Sequence, residues 1–546
     1  MDNSLRRALQ LLIFTLILFL IALIVWLFYC KCLPRRGAYG PSARPANNAS
    51  APPNRVSGGK YPPFKPPGEG FNLDRGRAVP TGSMRGTLAP TSAGSKLFQI
   101  QKNKQTPPIG GSADPVVFSD YNNLGTQAGN VGTPPDVNAA RNGNVVMLSY
   151  NTNVLLSLNG TSTYKLLNPT TIFPSGPTKD SAGNPLDSGL CCDQKLQYVP
   201  QIDRFIWLMQ FCGTGATSCL NGINKVRIAS ASTQDIINSN GTSWTYWDLF
   251  SSTFNLGTST MDYPDLSIGN NYLYFSADAV SLGGLLVVRI PLAEIRDSQT
   301  INMNYTTPAD SSLAYGGHIS QNTGDTVFWA GHKDSSNIRI FSFAEGSNQY
   351  SWRDMAINSW PNGTISSIAP DGKDWLQFGF PGSAVLGLTR RISNEVWLAW
   401  TGSSNANFQN PQVQLLEINT SNFSVISQWQ IWNNDYAFAY PSLATNTNGE
   451  VGISLAWGGK AFYGNNAVGI LGDFIVWYPE LSDAVVASTP IRFGDYFSVA
   501  RNTPNSLLYD ASGYAVLKNS PPATGTRFDP YYIQFGRNSV VNGAPR

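Results

Sequence analysis

The chain is poor in charged residues and in histidine. Only 13% of its 546 residues are charged and 2 are histidines, whereas 42% are hydrophobic and 12% aromatic. Disordered polymers and coiled coils need more charge, and collagen needs glycine at every third position, so these classes are excluded. Leucine-rich helical heptads are missing after residue 30, and Gly, Asn, Ser and Thr are abundant. This composition favours an all-β protein with a large core.

Common catalytic motifs are also missing. The sequence has no G-x-S-x-G elbow, Walker loop, H-E-x-x-H helix or zinc-type cysteine spacing. The only histidines that could form a catalytic Ser-His pair are His318 and His332. A lone histidine among strands is more often packed or exposed than catalytic. These absences favour a binding protein over an enzyme.

One long apolar run lies near the N-terminus. Residues 9–29 read LQLLIFTLILFLIALIVWLFY, about 20 residues, which is enough to span the roughly 30 Å hydrocarbon core of a bilayer. A signal peptide has a shorter apolar stretch and a small-residue cleavage site. We therefore expect a short tail over 1–8 and an uncleaved, single-pass transmembrane helix over 9–29, with a buried core helix as the alternative.

The charges that flank this run are nearly balanced and by themselves slightly favour a cytoplasmic C-terminal side, but two other features indicate the opposite orientation. Four cysteines cluster between residues 191 and 219, and persistent disulfides need an oxidising compartment. Asn-x-Ser/Thr sequons, the acceptors of N-glycosylation, occur at Asn48, Asn159, Asn240, Asn304, Asn362, Asn419 and Asn422. We expect the bulk of the chain to lie outside the cytosol, at a cell surface or envelope.

Residues 30–112 differ in composition from the rest. Between residues 33 and 111 there are 13 Pro and 12 Gly, and residues 31–104 carry 13 Lys or Arg against 2 acidic residues. Such a segment buries too little apolar surface to offset the entropy of ordering it. It is predicted to be a disordered, basic stalk. Its charge suits anionic lipid or a polyanion, with no sign of specific nucleic-acid recognition, and a solvated spacer is the alternative.

Beyond the stalk, one hairpin pattern recurs. A polar or tight-turn start, an apolar strand, a turn and a second apolar strand begin at Pro134, Cys192, Asp262, Tyr315, Gly382, Tyr440 and Gly494. Repeats of this length with two further strands in each interval are typical of propeller blades, which bury their faces against each other. We predict a seven-bladed β-propeller over 113–546, closed by a strand donated from Pro115 onwards. The alternative, two β-sandwiches, leaves the repeat unexplained.

The blade starts carry a resemblance. PPD-x-x-A-A, CCDQ-x-x-QYVPQIDRFIWL, DYP-x-L, YPSLATN-x-x-G and GDY-x-S-V-A resemble extracellular sialidase-like (BNR-type) propellers, which implies this fold and says little about chemistry. Sialidases hold a carboxylate with three arginines and an Arg-Ile-Pro motif near the domain start. Here Arg289-Ile290-Pro291 lies mid-chain at a strand end and is interpreted as structural. The Asp-box at Ser239–Trp244 has Ser in place of Asp.

Propeller geometry points to one candidate site. The first strand of each blade lines the central channel, so polar residues at the blade starts should meet at one mouth. These residues are Asp136, Asp193, Asp262, Tyr263, His318, Tyr440, Asp495 and Tyr496. Carboxylates and phenols around an axis suit a glycan or a Ca²⁺ ion, and the alternative is that they cap strand ends.

The four clustered cysteines allow three pairings. A hairpin turning at Ile202 would place Cys192 opposite Cys212, which leaves Cys191 for Cys219. Four reduced thiols are the alternative.

Together these features predict a membrane-anchored surface propeller that binds glycan or protein ligands without catalysis. The alternatives are a sialidase-like glycoside hydrolase using Asp136, Asp193, Asp262 and Asp495, and a structural envelope or virion surface protein. Ligand, organism and oligomeric state are not indicated by the sequence.

Overall fold

The computed structural model describes residues 42–56, 114, 116–128, 131–161, 163–215, 218–376, 384–392, 394–473, 476–486, 492–519 and 525–543. One compact unit spans Ala43–Arg546, and of the other unit, Met1–Ser42, only Ser42 is described. Within the described residues no helix has the length and apolar character needed to cross a membrane. The predicted span 9–29 lies outside those residues, as do 30–41 and 57–112 of the predicted stalk.

Four strands precede the first blade. They are β1 (Ser42–Pro45), β2 (Asn47–Ala51), β3 (Asn54–Val56) and β4 (Val116–Asn123). The remaining strands form the successive sheets of the propeller. Blade 1 holds β5 (Asn138–Asn142), β6 (Val145–Ser149), β7 (Val154–Ser157) and β8 (Lys165–Leu167). Blade 2 holds β9 (Leu190–Val199), β10 (Arg204–Phe211), β11 (Lys225–Ala231) and β12 (Trp244–Phe250).

The middle blades continue the same antiparallel order from the channel outwards. Blade 3 holds β13 (Met261–Ile268), β14 (Tyr272–Ala279), β15 (Gly284–Pro291) and β16 (Ile301–Tyr305). Blade 4 holds β17 (Thr326–Asp334), β18 (Asn337–Ala344) and β19 (Gln349–Ala356), and its inner edge is a short bridge between Ile319 and Trp329. Blade 5 holds β20 (Val385–Ile392), β21 (Glu395–Gly402), β22 (Gln412–Asn419) and β23 (Ser424–Ile431).

The last two blades complete a set of seven sheets. Blade 6 holds β24 (Ala437–Thr445), β25 (Val451–Gly459) and β26 (Phe462–Ile470). Blade 7 holds β27 (Ser498–Arg501), β28 (Tyr509–Lys518) and β29 (Thr526–Arg537). Short helices connect strands at α1 (Gly125–Ala128), α2 (Pro169–Ile172), α3 (Thr233–Ser239), α4 (Leu292–Arg296) and α5 (Asn538–Gly543), with 3-10 turns at Pro200–Ile202, Ser251–Phe254, Val280–Leu282 and Pro308–Ala314. The predicted all-β, seven-bladed propeller is confirmed.

The ring is closed by the strand that the sequence predicts. β4 pairs antiparallel with β29, with Phe118 opposite Phe535, so it forms the outer edge of blade 7 although it precedes blade 1 in the chain. Val116, Val117 and Phe118 are buried. First and last blades are therefore joined through backbone hydrogen bonds.

Both faces of each sheet are covered, which explains the continuous apolar runs. In β10, every residue after Arg204 is buried. Trp207 on this strand contacts Phe173 and Trp244 edge-on, with ring centroids 5.4 and 5.5 Å apart. Trp244 belongs to the same blade and Phe173 to the connection that precedes it, and Met147 and Leu156 of blade 1 complete the same cluster. The core therefore lies between adjacent blades, and radial packing holds the ring together.

Residues 42–56 correct the stalk prediction. They are ordered as β1, β2 and β3, which extend blades 4, 3 and 2 at their outer edges, beside β19, β16 and β12 respectively. Composition predicted disorder because this segment has little apolar surface, and only Ala51 within its strands is buried. Its order comes instead from backbone pairing with free sheet edges, where proline is tolerated. We call residues 42–56 the arm.

The predicted cysteine pairing is wrong. Cys191 is bonded to Cys192, and Cys212 is bonded to Cys219. The hairpin register pairs Arg204 with Val199, which is already one position away from the predicted register, and it shifts further at a bulge after Met209. Cys212 therefore donates its N–H to the Gly189 carbonyl, at 2.8 Å, and does not face Cys192. All four cysteines are oxidised, as expected.

The Arg-Ile-Pro tripeptide has the structural role that was expected. Arg289 lies in β15, just before α4, and is buried. Its guanidinium donates to the Asn304 Oδ1 at 3.0 Å and to the Ala344 carbonyl at 2.8 Å. It therefore ties blade 3 to blade 4.

Candidate functional site at the start of the channel

The innermost strands of all seven blades surround a central cavity. Its walls include Asn138, Lys195, Asp265, His318, Leu388, Leu443 and Ser498, each from a different blade. Because these strands run in the same direction, their first residues gather at one end of the channel and their last residues at the other. We call the first end the carboxylate end, since it is formed around Asp136, Asp193, Asp262 and Asp495.

A local backbone feature recurs at three blade starts. Asp136, Tyr263 and Tyr440 have φ values of +46°, +54° and +51°. This left-handed conformation is uncommon for residues other than glycine, especially for a bulky tyrosine. Its repetition at equivalent positions indicates that the blade starts share one turn, and strain of this kind clusters at functional sites.

The four aspartates do converge. Burial raises the pKa of Asp136 to about 7, with a further increase from the charge on Asp495. Burial likewise raises the pKa of Asp495 to about 7, and the Asp193 charge adds to it. For Asp193, burial followed by the charges on Asp136 and Asp262 raises the pKa well above its usual range. Desolvation and mutual repulsion are the two effects that keep buried carboxyls protonated near neutral pH.

Polar partners hold two of these carboxylates. Asn151 donates to Asp136 Oδ2 at 2.7 Å, and Gln210 donates to Asp262 Oδ1 at 2.6 Å. Asp136 Oδ1 is buried and has no hydrogen-bond partner among the described residues.

Two cations complete the charge balance. Arg492 pairs with Asp495, and the Arg492 side chain is 44% exposed whereas that of Asp495 is 9% exposed. Lys195 is buried, with its ammonium 3.2 Å from the centre of the Tyr496 ring, and burial lowers its pKa. Among the nearby carboxylates, the charge of Asp265 does most to raise the Lys195 pKa, followed by those of Asp193 and Asp136. The four carboxyls and Asp265 therefore share two positive groups, and only Arg492 of the two cations reaches solvent.

Aromatic rings form the second layer of the site. Tyr263 stacks on His318 with centroids 4.9 Å apart and meets Tyr496 edge-on at 5.4 Å. The Tyr263 hydroxyl donates to the Asp495 carbonyl at 2.9 Å. Burial lowers the pKa of His318 to about 4, so this imidazole is neutral at pH 7. Tyr440 is buried in the same core cluster as Tyr263 and Tyr496.

All eight predicted residues are therefore placed at or beside this end, but they are more enclosed than a channel mouth implies. Residues from the connections between blades 4 and 5 and between blades 6 and 7 pack over Tyr263, Tyr440 and Tyr496: Trp375, Leu376, Val485 and Phe493. These long connections have no repeating pattern, so the blade repeat does not predict that they enclose the site.

Sequence reasoning missed Lys195 and Arg492. Lys195 was detectable, because it lies two residues after Asp193 on β9 and so points to the same face of the strand. Arg492 precedes the last repeat, and its role depends on the fold of the connection before β27.

No preformed calcium site is evident in the described part of the chain. The only His, Cys, Asp or Glu ligand atoms there that group closely enough to hold one metal ion, within 4.8 Å of one another, are the sulfurs of Cys191, Cys212 and Cys219. These sulfurs belong to disulfides, and disulfide sulfur is a poor ligand compared with thiolate.

The sequons differ in availability. The side chains of Asn48, Asn159, Asn240, Asn362 and Asn422 are exposed, whereas those of Asn304 and Asn419 are half-buried. Asn304 faces Asn48 across the β16–β2 pair, hydrogen-bonds to it and also accepts from Arg289. The Asn304 side chain therefore already has hydrogen-bond partners within the protein.

No protein-family model and no curated protein sequence matches the chain. Among solved structures, the α-L-arabinofuranosidase Arb93A of Fusarium graminearum is 11% identical, with 74% of this chain and 95% of that chain covered and a TM-score of 0.34. The sialidase of Trypanosoma rangeli is 10% identical, over 62% of this chain and 54% of that chain, with a TM-score of 0.32. The α-L-arabinanase of Penicillium chrysogenum is 8% identical, over 72% of this chain and 93% of that chain, with a TM-score of 0.33.

Similarity at this level does not assign a family, an activity or a substrate to this chain. The expected likeness to sialidase-like propellers holds for the architecture alone, and that architecture rests on the seven sheets of the chain itself.

Proposed function

We propose that this protein is a membrane-anchored surface propeller that binds a glycan at the carboxylate end of its channel. One observation supports the proposal: four carboxyls and three aromatic rings from the blade starts lie together at that end, beside Lys195 of β9 and Arg492 of the connection before β27. Carboxyl and phenol groups exchange hydrogen bonds with saccharide hydroxyls, and aromatic rings pack against sugar faces. The solvent-facing Arg492 marks the side from which a ligand enters.

A glycan array probed with the full chain in detergent micelles tests this function. We expect a restricted set of saccharides to bind, with binding reduced in Asp495→Asn. The matched control is Asp297→Asn, which changes an exposed carboxylate paired with Arg296 and should bind like the wild type. If no glycan of any class binds, the proposal fails.

A second candidate function, a glycoside hydrolase, is favoured by the state of two carboxyls. The pKa values of Asp136 and Asp495 both lie at about 7, so near neutral pH a protonated acid and an ionised base can coexist, as glycoside hydrolysis requires. A panel of fluorogenic glycosides and sialosides separates the two functions. Turnover that is lost in Asp136→Asn and in Asp495→Asn would establish the hydrolase, and its absence would leave the binding function.

The anchoring part of the proposal rests on the apolar run 9–29 and the basic residues that follow it. In cells, carbonate extraction should leave the chain in the membrane fraction, and external protease should degrade the propeller in intact cells. Release by carbonate, or protection from external protease, would contradict the anchored and extracytosolic arrangement respectively.

A further inference from the structure

A second pocket opens at the opposite end of the channel, where the innermost strands end. It has a volume of about 220 Å³ and is bordered by blades 2, 3, 4 and 7. Its polar lining side chains are Gln197, Gln201, Asn270, Gln321, Asn322, Arg501 and Thr503. Five amides, one hydroxyl and one guanidinium line this pocket, and its lining contains no carboxylate. We call it the amide pocket.

Three of the amides are held in fixed orientations. The amide of Gln201 donates to the Gly269 carbonyl at 3.0 Å, and that of Gln321 donates to the Leu266 carbonyl at 2.8 Å. Asn322 Oδ1 accepts from the Thr445 N–H at 2.8 Å. Each bond uses one end of an amide and leaves the other polar end available, so donors and acceptors are preorganised before a ligand arrives.

Arg501 supplies the single positive charge of the pocket. Its Nε donates to the Thr445 carbonyl at 2.7 Å, which fixes the guanidinium plane. No partner is found in the described part of the chain for its two terminal nitrogens. Burial lowers its pKa, so the charge is poorly solvated. A planar guanidinium with two open donors matches a carboxylate, which accepts two parallel hydrogen bonds.

Neighbouring carboxylates do not neutralise Arg501. Glu345 accepts from Asn271, at 2.8 Å from its side-chain amide, and Asp325 pairs with Arg390. Gly269 and Gly324 lie side by side at the rim. A Cβ on Gly269 would lie 2.9 Å from the Gly324 carbonyl oxygen, so only glycine lets these two segments approach so closely.

We propose that the amide pocket binds a saccharide that carries a carboxylate group. The carboxylate pairs with Arg501, and the sugar hydroxyls bond to the open amide groups of Gln197, Gln201, Gln321 and Asn322. Hydroxyl groups both donate and accept, as amides do, whereas an inorganic anion would use only the donors. This site is separate from the carboxylate end and does not depend on the function proposed there.

Calorimetric titration of the full chain in detergent with D-glucuronate tests the proposal, with D-glucose and acetate as probes that lack the charge or the hydroxyls. We expect saturable glucuronate binding, weaker by about tenfold or more in Arg501→Gln, and much weaker binding of either other probe. Gln197→Ala, at a half-buried side chain with no hydrogen-bond partner in the described part of the chain, should also weaken binding.

The controls separate this site from the rest of the protein. Arg527→Gln removes an arginine that, like Arg501, donates to a backbone carbonyl, that of Lys518 at 2.7 Å, but it does not line the pocket; it should bind like the wild type. Asp297→Asn, at an exposed carboxylate outside both ends of the channel, should also leave glucuronate binding unchanged. The proposal is overturned if glucuronate does not bind, if acetate binds as well, or if folded Arg501→Gln and Gln197→Ala both bind normally.

Discussion

At the residue scale, the carboxyls at the carboxylate end are governed by burial. Asp136 and Asp193 are at most 9% exposed, and each has its pKa raised first by desolvation and then by neighbouring carboxylates. A buried charge that lacks a full set of partners destabilises the folded state. The folded protein therefore maintains these groups at a cost in stability, which is expected where groups serve a ligand rather than the fold.

Because burial of the Asp136 carboxylate destabilises the folded state, the effect of Asp136→Asn on the free energy of unfolding should depend on pH. The folded pKa of Asp136, about 7, lies above its ordinary value of 3.8, so the folded state holds the proton more tightly and loses stability as pH rises from about 4 to 7. Asparagine does not ionise. The variant should gain stability over the wild type across this window, by on the order of 2–4 kcal/mol at pH 7.5.

Denaturant unfolding at pH 4.5 and pH 7.5 measures this difference. Comparison between variants is needed because burial of His318 lowers its pKa to about 4, which destabilises the fold as pH falls and opposes the aspartates. Asp297→Asn, at an exposed site, is the control. A stability difference between Asp136→Asn and the wild type that is equal at both pH values would refute the burial explanation.

Several of these residues could be found from the sequence because they repeat. Asp136, Tyr263 and Tyr440 occupy equivalent blade starts, and the blade repeat placed them at one end of the channel. Lys195 could have been predicted from Asp193, because residues two apart on a strand point to the same face. Trp375 and Phe493, which help to enclose the site, lie in connections without a repeating pattern, and no local signal indicates where such connections fold.

At the element scale, two N-terminal segments attach to the propeller in different ways. β4 buries Val116, Val117 and Phe118 between blade 7 and its neighbours, and burial of such side chains stabilises by about 1.5–3 kcal/mol each. The arm contributes mainly edge hydrogen bonds, because most of its side chains are exposed. The first segment is thus part of the core and the second covers sheet edges.

Separate deletions should show this difference. Removal of residues 113–124 should abolish the cooperative thermal transition, since blade 7 loses its outer strand. Removal of residues 42–56 should retain the transition at a slightly lower temperature and increase self-association through the uncovered edges of β12, β16 and β19. Differential scanning fluorimetry with light scattering reports both properties; an unchanged melting temperature after removal of 113–124 would contradict the closure by β4.

The arm also shows why part of the fold could not be predicted from the sequence. Its composition resembles that of disordered linkers, and its partners lie far away in sequence: Ala51 pairs with Ile301. The hairpins, by contrast, are local and repeat, so they were predictable. The cysteine pairing failed for a related reason: Arg204 pairs with Val199, one position away from the predicted register, and a bulge after Met209 shifts the register further. Turn position and bulges leave little trace in a sequence.

At the scale of the whole molecule, the ring presents two chemically different ends. The carboxylate end gathers acidic and aromatic groups, whereas the amide pocket at the other end is neutral apart from Arg501. Parallel inner strands create this asymmetry, because all blade starts face one way and all hairpin turns of the innermost strands face the other. One propeller can therefore carry two independent binding sites along a single axis.

The proposed binding of a saccharide at the carboxylate end depends on Asp136 and Asp495. Its most direct test is calorimetric titration of the best saccharide from the array into the wild type, Asp136→Asn, Asp495→Asn and the control Asp297→Asn. We predict that affinity falls by about tenfold or more in each of the first two variants and is unchanged in the control. Equal affinity in all four proteins would contradict the claim.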